Sequence, residues 1–322
     1  MTAAADFPRG LAAMAKILFA STFLLVIAGG LVTSTGSGLS VPDWPTTYGQ
    51  NMFTFPPSKW VGGIRFEHSH RLIAATVGML TVALAVRAWA AGAPRAVRVL
   101  SAVAVAAVLT QGLLGGLTVK YLLPTPISVA HACLAQSFLS LTLVIAILTS
   151  KAWRESSRPL SFSPGERAGL AAGLLAFAAV FVQLVLGAWM RHSDAGLAIP
   201  DFPASFGHPV PDHWNAKIAV HFAHRAWAAF VALAVFSSAF VVRRARRDAA
   251  PRRVSLALSL LLPVQMFLGA LSIWSRKAVV FTVAHQSTGA LILAGTVALS
   301  MALARGESAA AADVRIRPAV SA

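Results

Sequence analysis

The sequence predicts an all-α membrane protein with eight transmembrane helices, arranged as two parallel-repeat four-helix bundles. Its composition and a repeated spacing of histidines support this fold class. Hydrophobic residues make up 57% of the 322 residues and charged residues only 12%, with a mean hydropathy of +0.71. Soluble domains contain about 25% charged residues, so this composition favours a chain that lies in a lipid bilayer.

Eight apolar stretches are each long enough to cross the hydrocarbon core, which needs roughly 17 to 25 helical residues. Lipid offers no hydrogen-bond partners to a peptide backbone, so we expect helices rather than isolated strands. The predicted spans are 14–33, 68–91, 97–119, 127–149, 167–190, 219–242, 254–274 and 279–304.

The first span could instead be a cleaved signal peptide, because Arg9 and Lys16 precede an apolar run. However, the stretch from Gly29 to Gly38 has a counterpart in mid-chain, at 187–196. A signal peptide would have no such counterpart. We therefore predict that the first span is a permanent helix.

A duplication runs through the chain. His70 and His224 are 154 residues apart, and so are His131 and His285. Each copy contains four spans, an even number, so both copies enter the membrane in the same orientation, as in parallel repeats related by an axis along the membrane normal. The predicted units are an N-terminus at 1–13, a first repeat at 14–150, a linker at 151–166, a second repeat at 167–304 and a disordered tail at 305–322.

The net charge of +16 is distributed unevenly about the predicted membrane. With the N-terminus on the cytoplasmic side, 18 of the 27 Lys and Arg residues face the cytoplasm, including the run at 243–253. This bias follows the positive-inside rule and places both termini in the cytoplasm. We expect a multi-pass protein of the cell (inner) membrane whose basic loops meet anionic lipid, and no nucleic-acid partner.

With this topology the four duplicated histidines lie near the outer ends of their helices. Within each half, two histidines have similar depth on helices that run in the same direction: His70 with His131, and His224 with His285. Axial ligation of a haem iron from both faces requires this arrangement, and helix bundles commonly build such sites from inward-facing side chains. A packing role is the alternative, and the duplication favours haem.

Zinc is a weaker interpretation of the histidines. Cys133 is the only cysteine, so the chain has no thiolate cluster. Two histidines per half are also too few to close a zinc site, which usually takes four protein ligands.

An arginine directly follows one histidine of each pair. Arg71 follows His70, and Arg225 follows His224. Arginine binds carboxylates with two parallel hydrogen bonds, so these residues could anchor haem propionates at the outer surface. The alternative is that each extends its charged end to the membrane surface.

The two halves differ three residues before these histidines. Glu67 precedes His70 on one helix face, whereas His221 occupies the matching position in the second half. A carboxylate can relay protons or stabilise a developing positive charge. Glu67 is therefore the candidate catalytic residue, with a salt bridge to Arg71 or Arg65 as the alternative.

These motifs resemble the haem A synthase family. The resemblance rests on Glu67-x-x-His70-Arg71, the stretch Gly-Leu-x-x-Pro-Asp-Trp-Pro at 38–45 and the duplicated histidines, and it covers about residues 12–304. It implies oxidation of a ring methyl group of haem O to a formyl group, which gives haem A for terminal oxidases. It also implies haem B as a cofactor.

The resemblance further implies a division of labour. Haem B would be held by His224 and His285 with Arg225, and substrate haem O by His70 and His131 with Arg71, beside Glu67. Expected partners are haem O, the lipid bilayer, haem O synthase and assembly factors of terminal oxidases. Some members carry a cysteine pair in the first outer loop, which residues 34–66 lack, so no thiol step is available there.

Two other functions remain open from the residues alone. A di-haem b-type electron carrier would bind two permanent haems and would not need Glu67. A transporter built from parallel repeats would carry no chromophore and would have helices broken at mid-membrane.

Overall fold

The computed structural model describes residues 9–155, 164–245 and 248–305. Its helices, labelled α1 to α9 in chain order, are Leu11–Ser34, Ile64–Ala90, Arg95–Lys120, Thr125–Thr149, Lys151–Glu155, Pro164–His192, Ala216–Ala245, Ala249–Trp274 and Val279–Leu303. All but the short α5 are long and apolar enough to cross a membrane. Within the described residues there is no β-strand, only two isolated bridges.

The prediction of an all-helical protein with eight spans is therefore confirmed. Each helix begins and ends within a few residues of the predicted span; α1, for example, begins at Leu11 rather than at residue 14. The short helix α5 was not predicted and falls in the linker, at Lys151–Glu155. Residues 1–8 and 156–163, and the tail from 306 onward, lie outside the described residues.

Each half packs as a ring of four helices with its own apolar core. In the first half α1 packs on α2 and α4, and α3 on α2 and α4; in the second half α6 packs on α7 and α9, and α8 on α7 and α9. One core cluster centres on Leu18, Leu84 and Ile145, and the other on Leu262 and Leu293. This arrangement fits the two predicted bundles.

The halves meet where α1 and α4 contact α6 and α9. Arg191 of α6 donates from Nη2 to the Gly30 carbonyl of α1 (3.1 Å) and to Ser34 Oγ (2.6 Å). Gln286 of α9 donates to the Val26 carbonyl of α1 (3.1 Å). Polar contacts thus hold α1 against two helices of the other half.

The two outer loops share one local structure. Asp43 accepts hydrogen bonds from the backbone amides of Tyr48 (2.7 Å) and Gly49 (2.8 Å). Asp201 accepts the same two bonds, both 2.8 Å, from the residues five and six positions later. These backbone hydrogen bonds favour the ionised carboxylate and hold the pKa of Asp201 below its usual range. Each loop is therefore a defined turn and not a loose connector.

Candidate functional site

His224 on α7 and His285 on α9 lie close together, with ring centroids 6.5 Å apart and ring planes at 71° to each other. An imidazole–metal bond is about 2.1 Å long, so two imidazoles on opposite sides of one metal have ring centres about 6.5 Å apart. The second-half pair is thus separated by the distance that one haem iron between the rings requires. The residues present fit a bis-histidine haem.

In the first half, His70 lies on α2 and His131 on α4, and both helices pack on α1 and α3. The first pair thus lies on the second and fourth long helices of its half, as the second pair does. Within the described residues there is no group of three or more His, Cys, Asp or Glu side chains able to hold a metal ion. A haem iron needs only two protein ligands, because the porphyrin supplies the others.

Each of the four histidines packs against a glycine on the preceding long helix. A Cβ atom added at any of these glycines would lie too close to the imidazole, so the ring rests on bare helix backbone. The distances from such a Cβ are 3.3 Å at Gly29 to His70, 3.2 Å at Gly115 to His131, and 3.0 Å at Gly187 to His224 and at Gly269 to His285.

A glutamine lies one helical turn before three of these glycines. Gln183 Nε2 donates to the His224 carbonyl (3.0 Å) and lies 3.2 Å and 3.3 Å from the two ring nitrogens. Gln111 makes the same bond to the His131 carbonyl (3.0 Å). These glutamines are not among the site residues predicted from the sequence. The repeated pattern Gln-x-x-x-Gly, read along each helix, is the signal that would have found them.

Glu67 is buried and both of its oxygens are engaged. Oε1 accepts from Arg71 Nη2 (2.7 Å), and Oε2 accepts from the Val41 backbone amide (2.8 Å). Arg71 also donates to the carbonyls of Val41, Asp43 and Thr46. The salt bridge considered as the alternative for Glu67 is therefore present, and it ties the first outer loop to α2.

In the second half, a histidine takes the place of the carboxylate and makes the equivalent contacts. His221 Nδ1 lies 3.2 Å from the Ile199 amide nitrogen, and its Nε2 lies 3.1 Å from Arg225 Nε; a neutral imidazole accepts at one of these two positions. Arg225 also donates to the carbonyls of Ile199 and Ala204. Both arginines thus fasten an outer loop over a histidine site. Their binding of haem propionates stays a prediction.

The outer loop also reaches the helices of the first site directly. A Cβ atom added at Gly116 of α3 would lie 2.5 Å from the Trp44 indole, so the loop tryptophan lies flat on the helix backbone. The next glycine, Gly115, receives His131. His68 of α2 packs against the rings of Phe55 and Trp60. The first loop therefore covers the outer end of the first bundle.

The family model described as "Cytochrome oxidase assembly protein" (COX15-CtaA) matches residues 12–61 and 64–297. The chain belongs to this family. The matched segments contain every candidate site residue, from Glu67 to His285.

Individual relatives agree with this result. A protein named heme A synthase from Shouchella clausii (strain KSM-K16) is 32% identical over 231 residues, which cover 70% of this chain and 73% of the relative. Another of that name, from Sphingopyxis alaskensis (strain DSM 13593 / LMG 18877 / RB2256), is 29% identical over 340 residues, covering 91% and 92%. The similarity thus extends along both halves.

Proposed function

We propose that this protein is a haem A synthase, which oxidises a ring methyl group of haem O to a formyl group and so gives haem A for terminal oxidases. The observation that carries the proposal is the close pair His224 and His285, with ring centroids 6.5 Å apart, in a chain of this family. The duplicated pair in the other half, His70 and His131, supplies a second site of the same kind.

The two sites differ in their neighbouring groups, and this supports a division of roles. His224 and His285 would hold haem B, with Arg225 at the outer edge. When bound, such a haem accepts and passes on single electrons. His70 and His131, with Arg71, would take the substrate haem O.

Glu67 carries the chemistry in this proposal. Converting a methyl to a formyl group breaks two C–H bonds of one carbon and forms a C=O bond, and this oxidation needs an external electron acceptor. A carboxylate close to that carbon can accept a proton or stabilise positive charge. Glu67 is held in place by the Arg71 side chain and the Val41 amide, and it is 4% exposed, so its position is fixed before the substrate arrives.

The proposal predicts the haems that the protein makes. Membranes that contain the protein together with a source of haem O should yield haem A, identified by chromatography of the extracted haems. The matched control is His70→Ala, which removes one of the two histidines that would hold the substrate and should leave haem O unconverted. Purified protein with two haem B molecules and no haem O or haem A would instead establish a di-haem electron carrier, and protein without any chromophore a transporter.

We further propose that the protein lies in the cell (inner) membrane, with both termini in the cytoplasm and the haem sites toward the outer side. This orientation places 18 of the 27 Lys and Arg residues on the cytoplasmic side, as the positive-inside rule requires. Haem O synthase and assembly factors of terminal oxidases are the proposed protein partners, because they would supply the substrate and use the product.

The orientation predicts which loops are accessible from outside. In a chain with Cys133 replaced, a cysteine at the exposed position of His213 should react with a membrane-impermeant maleimide in intact spheroplasts. A cysteine at the exposed position of Arg252 should react only after lysis. Labelling of position 252 in intact spheroplasts would show that the topology is the reverse of the one proposed, with all four histidines toward the cytoplasmic side.

A further inference from the structure

The four histidines do not face their glycines in the same way. His131, His224 and His285 each turn the Cε1 edge of the ring toward the glycine, with Nδ1 the next nearest atom. His70 instead turns its Nε2 edge toward Gly29, at 3.3 Å from the position of an added Cβ, and Cδ2 is the next nearest atom. One ring of the four is therefore rotated relative to the others.

The same histidine lacks a glutamine. One turn before the glycine stand Gln111, Gln183 and Gln265 at the other three sites, whereas α1 has Leu25 at that place. Leu25 is also the counterpart of Gln183 at the spacing of 158 that relates α1 to α6. Among the described residues, no hydrogen bond to the His70 ring is found.

The glutamines contact their histidines in two ways. Their amide nitrogens lie within 3.4 Å of a ring nitrogen at all three sites, and those of Gln111 and Gln183 also donate to the histidine carbonyl, at 3.0 Å. The Oε1 atom of each glutamine is buried without a partner. The side-chain amide thus lies against the imidazole, at Nε2 of His131 and of His285 and at both nitrogens of His224, and it restricts rotation of the ring.

A hydrogen-bond acceptor at one ring nitrogen of a histidine decides whether the other nitrogen is free to bind a metal. His285 Nδ1 lies 3.0 Å from the backbone carbonyl of Gln265 and donates to it, so this acceptor belongs to the main chain and not to the glutamine side chain. A histidine whose Nδ1 carries the shared proton presents an unprotonated Nε2 to a metal, in a fixed orientation and with increased basicity. The absence of a glycine Cβ is what allows the ring to approach this carbonyl.

We propose that Gln111, Gln183 and Gln265 are positioning residues that lock three of the histidines for iron, and that Leu25 leaves His70 as an exchangeable ligand. In the second half both histidines are held by a glutamine, and this site retains its haem. In the first half only His131 is held, and this site takes up one haem and releases another. This inference rests on the proposed function, which assigns the first half to a substrate that must leave as product.

The test uses two variants, each of which gives Gln183 or Leu25 the residue found at the matching position of the other half. Gln183→Leu should make the transfer of haem B from purified protein to excess apomyoglobin faster, by about 10- to 100-fold, the usual effect of losing a partner of a metal-bound histidine. It should also convert part of the low-spin signal to high-spin. Leu25→Gln should act in the opposite sense, and haem O plus haem A should co-purify in larger amounts per protein than with the unmodified chain.

The matched control is Gln136→Leu, which removes a buried glutamine of α4 whose Oε1 also lacks a partner. It should leave haem B transfer unchanged. Transfer equally fast in Gln183→Leu and in the unmodified protein, with an unchanged spectrum, would overturn the locking role; unchanged haem content in Leu25→Gln would overturn the exchangeable role of His70. Unmodified protein that carries no haem would contradict the proposed function itself, which separates the two failures.

Discussion

Replacing either His224 or His285 by Ala should abolish or shift the low-spin haem B signal of the resting protein. Both rings are needed to hold a six-coordinate iron, and their centroids are 6.5 Å apart, as one metal between them requires. The loss should be nearly complete, because alanine offers no ligand atom. Absorption and electron paramagnetic resonance spectra of the purified variants measure it.

The control for these variants is His208→Ala, which removes an exposed histidine of the second outer loop. It should keep the full low-spin signal. An unchanged spectrum in both His224→Ala and His285→Ala would show that the resident haem is bound elsewhere, and the assignment of the second half as the haem B site would then be wrong.

The second large effect is expected at Glu67. Glu67→Gln should leave haem B bound in the second half, yet stop haem A formation or stall it at a hydroxylated stage. A carboxylate that acts in proton transfer contributes about 10²- to 10⁴-fold to a rate, so the yield of haem A should fall at least about hundredfold. Chromatography of haems extracted from cells that make the variant gives this yield.

The fold provides a matched control for this variant. His221 contacts the Ile199 amide and Arg225, in the place where Glu67 accepts hydrogen bonds from the Val41 amide and from Arg71. His221→Gln therefore disturbs the equivalent loop contacts without removing a carboxylate, and it should be far milder.

Two outcomes would contradict the catalytic role of Glu67. A normal yield of haem A from Glu67→Gln would show that the carboxylate only holds the outer loop to α2. Loss of the protein or of haem B in Glu67→Gln, with His221→Gln unaffected, would show that the ion pair with Arg71 stabilises the fold, and would favour the salt bridge as the reason for Glu67.

The sequence by itself determined the eight helices and the pairing of the histidines. A bilayer requires about 20 consecutive apolar residues per helix, so the composition of each stretch predicts a span almost directly. The repeat of 154 residues gives His70 and His224, and likewise His131 and His285, the same depth in the membrane. The depth of a residue in the membrane follows from its position along the helix, and that position can be read from the sequence.

Only the tertiary structure decided what each site residue contacts. The sequence left Glu67 between a catalytic role and a salt bridge, and the structure shows that its oxygens bind Arg71 and the Val41 amide. Such contacts depend on how a loop of more than twenty residues folds back on a helix. Neither the apolar periodicity nor the spacing of motifs specifies that path.

The glutamines illustrate the same limit. Comparison of the two copies pairs Gln111 with Gln265, but it pairs Gln183 with Leu25, so the repeat hides the third member of the set. The rotated ring of His70 is likewise invisible in the sequence. Which edge of an imidazole meets a neighbouring glycine depends on the rotation and crossing of two packed helices, and those are set by the side chains of both helices together.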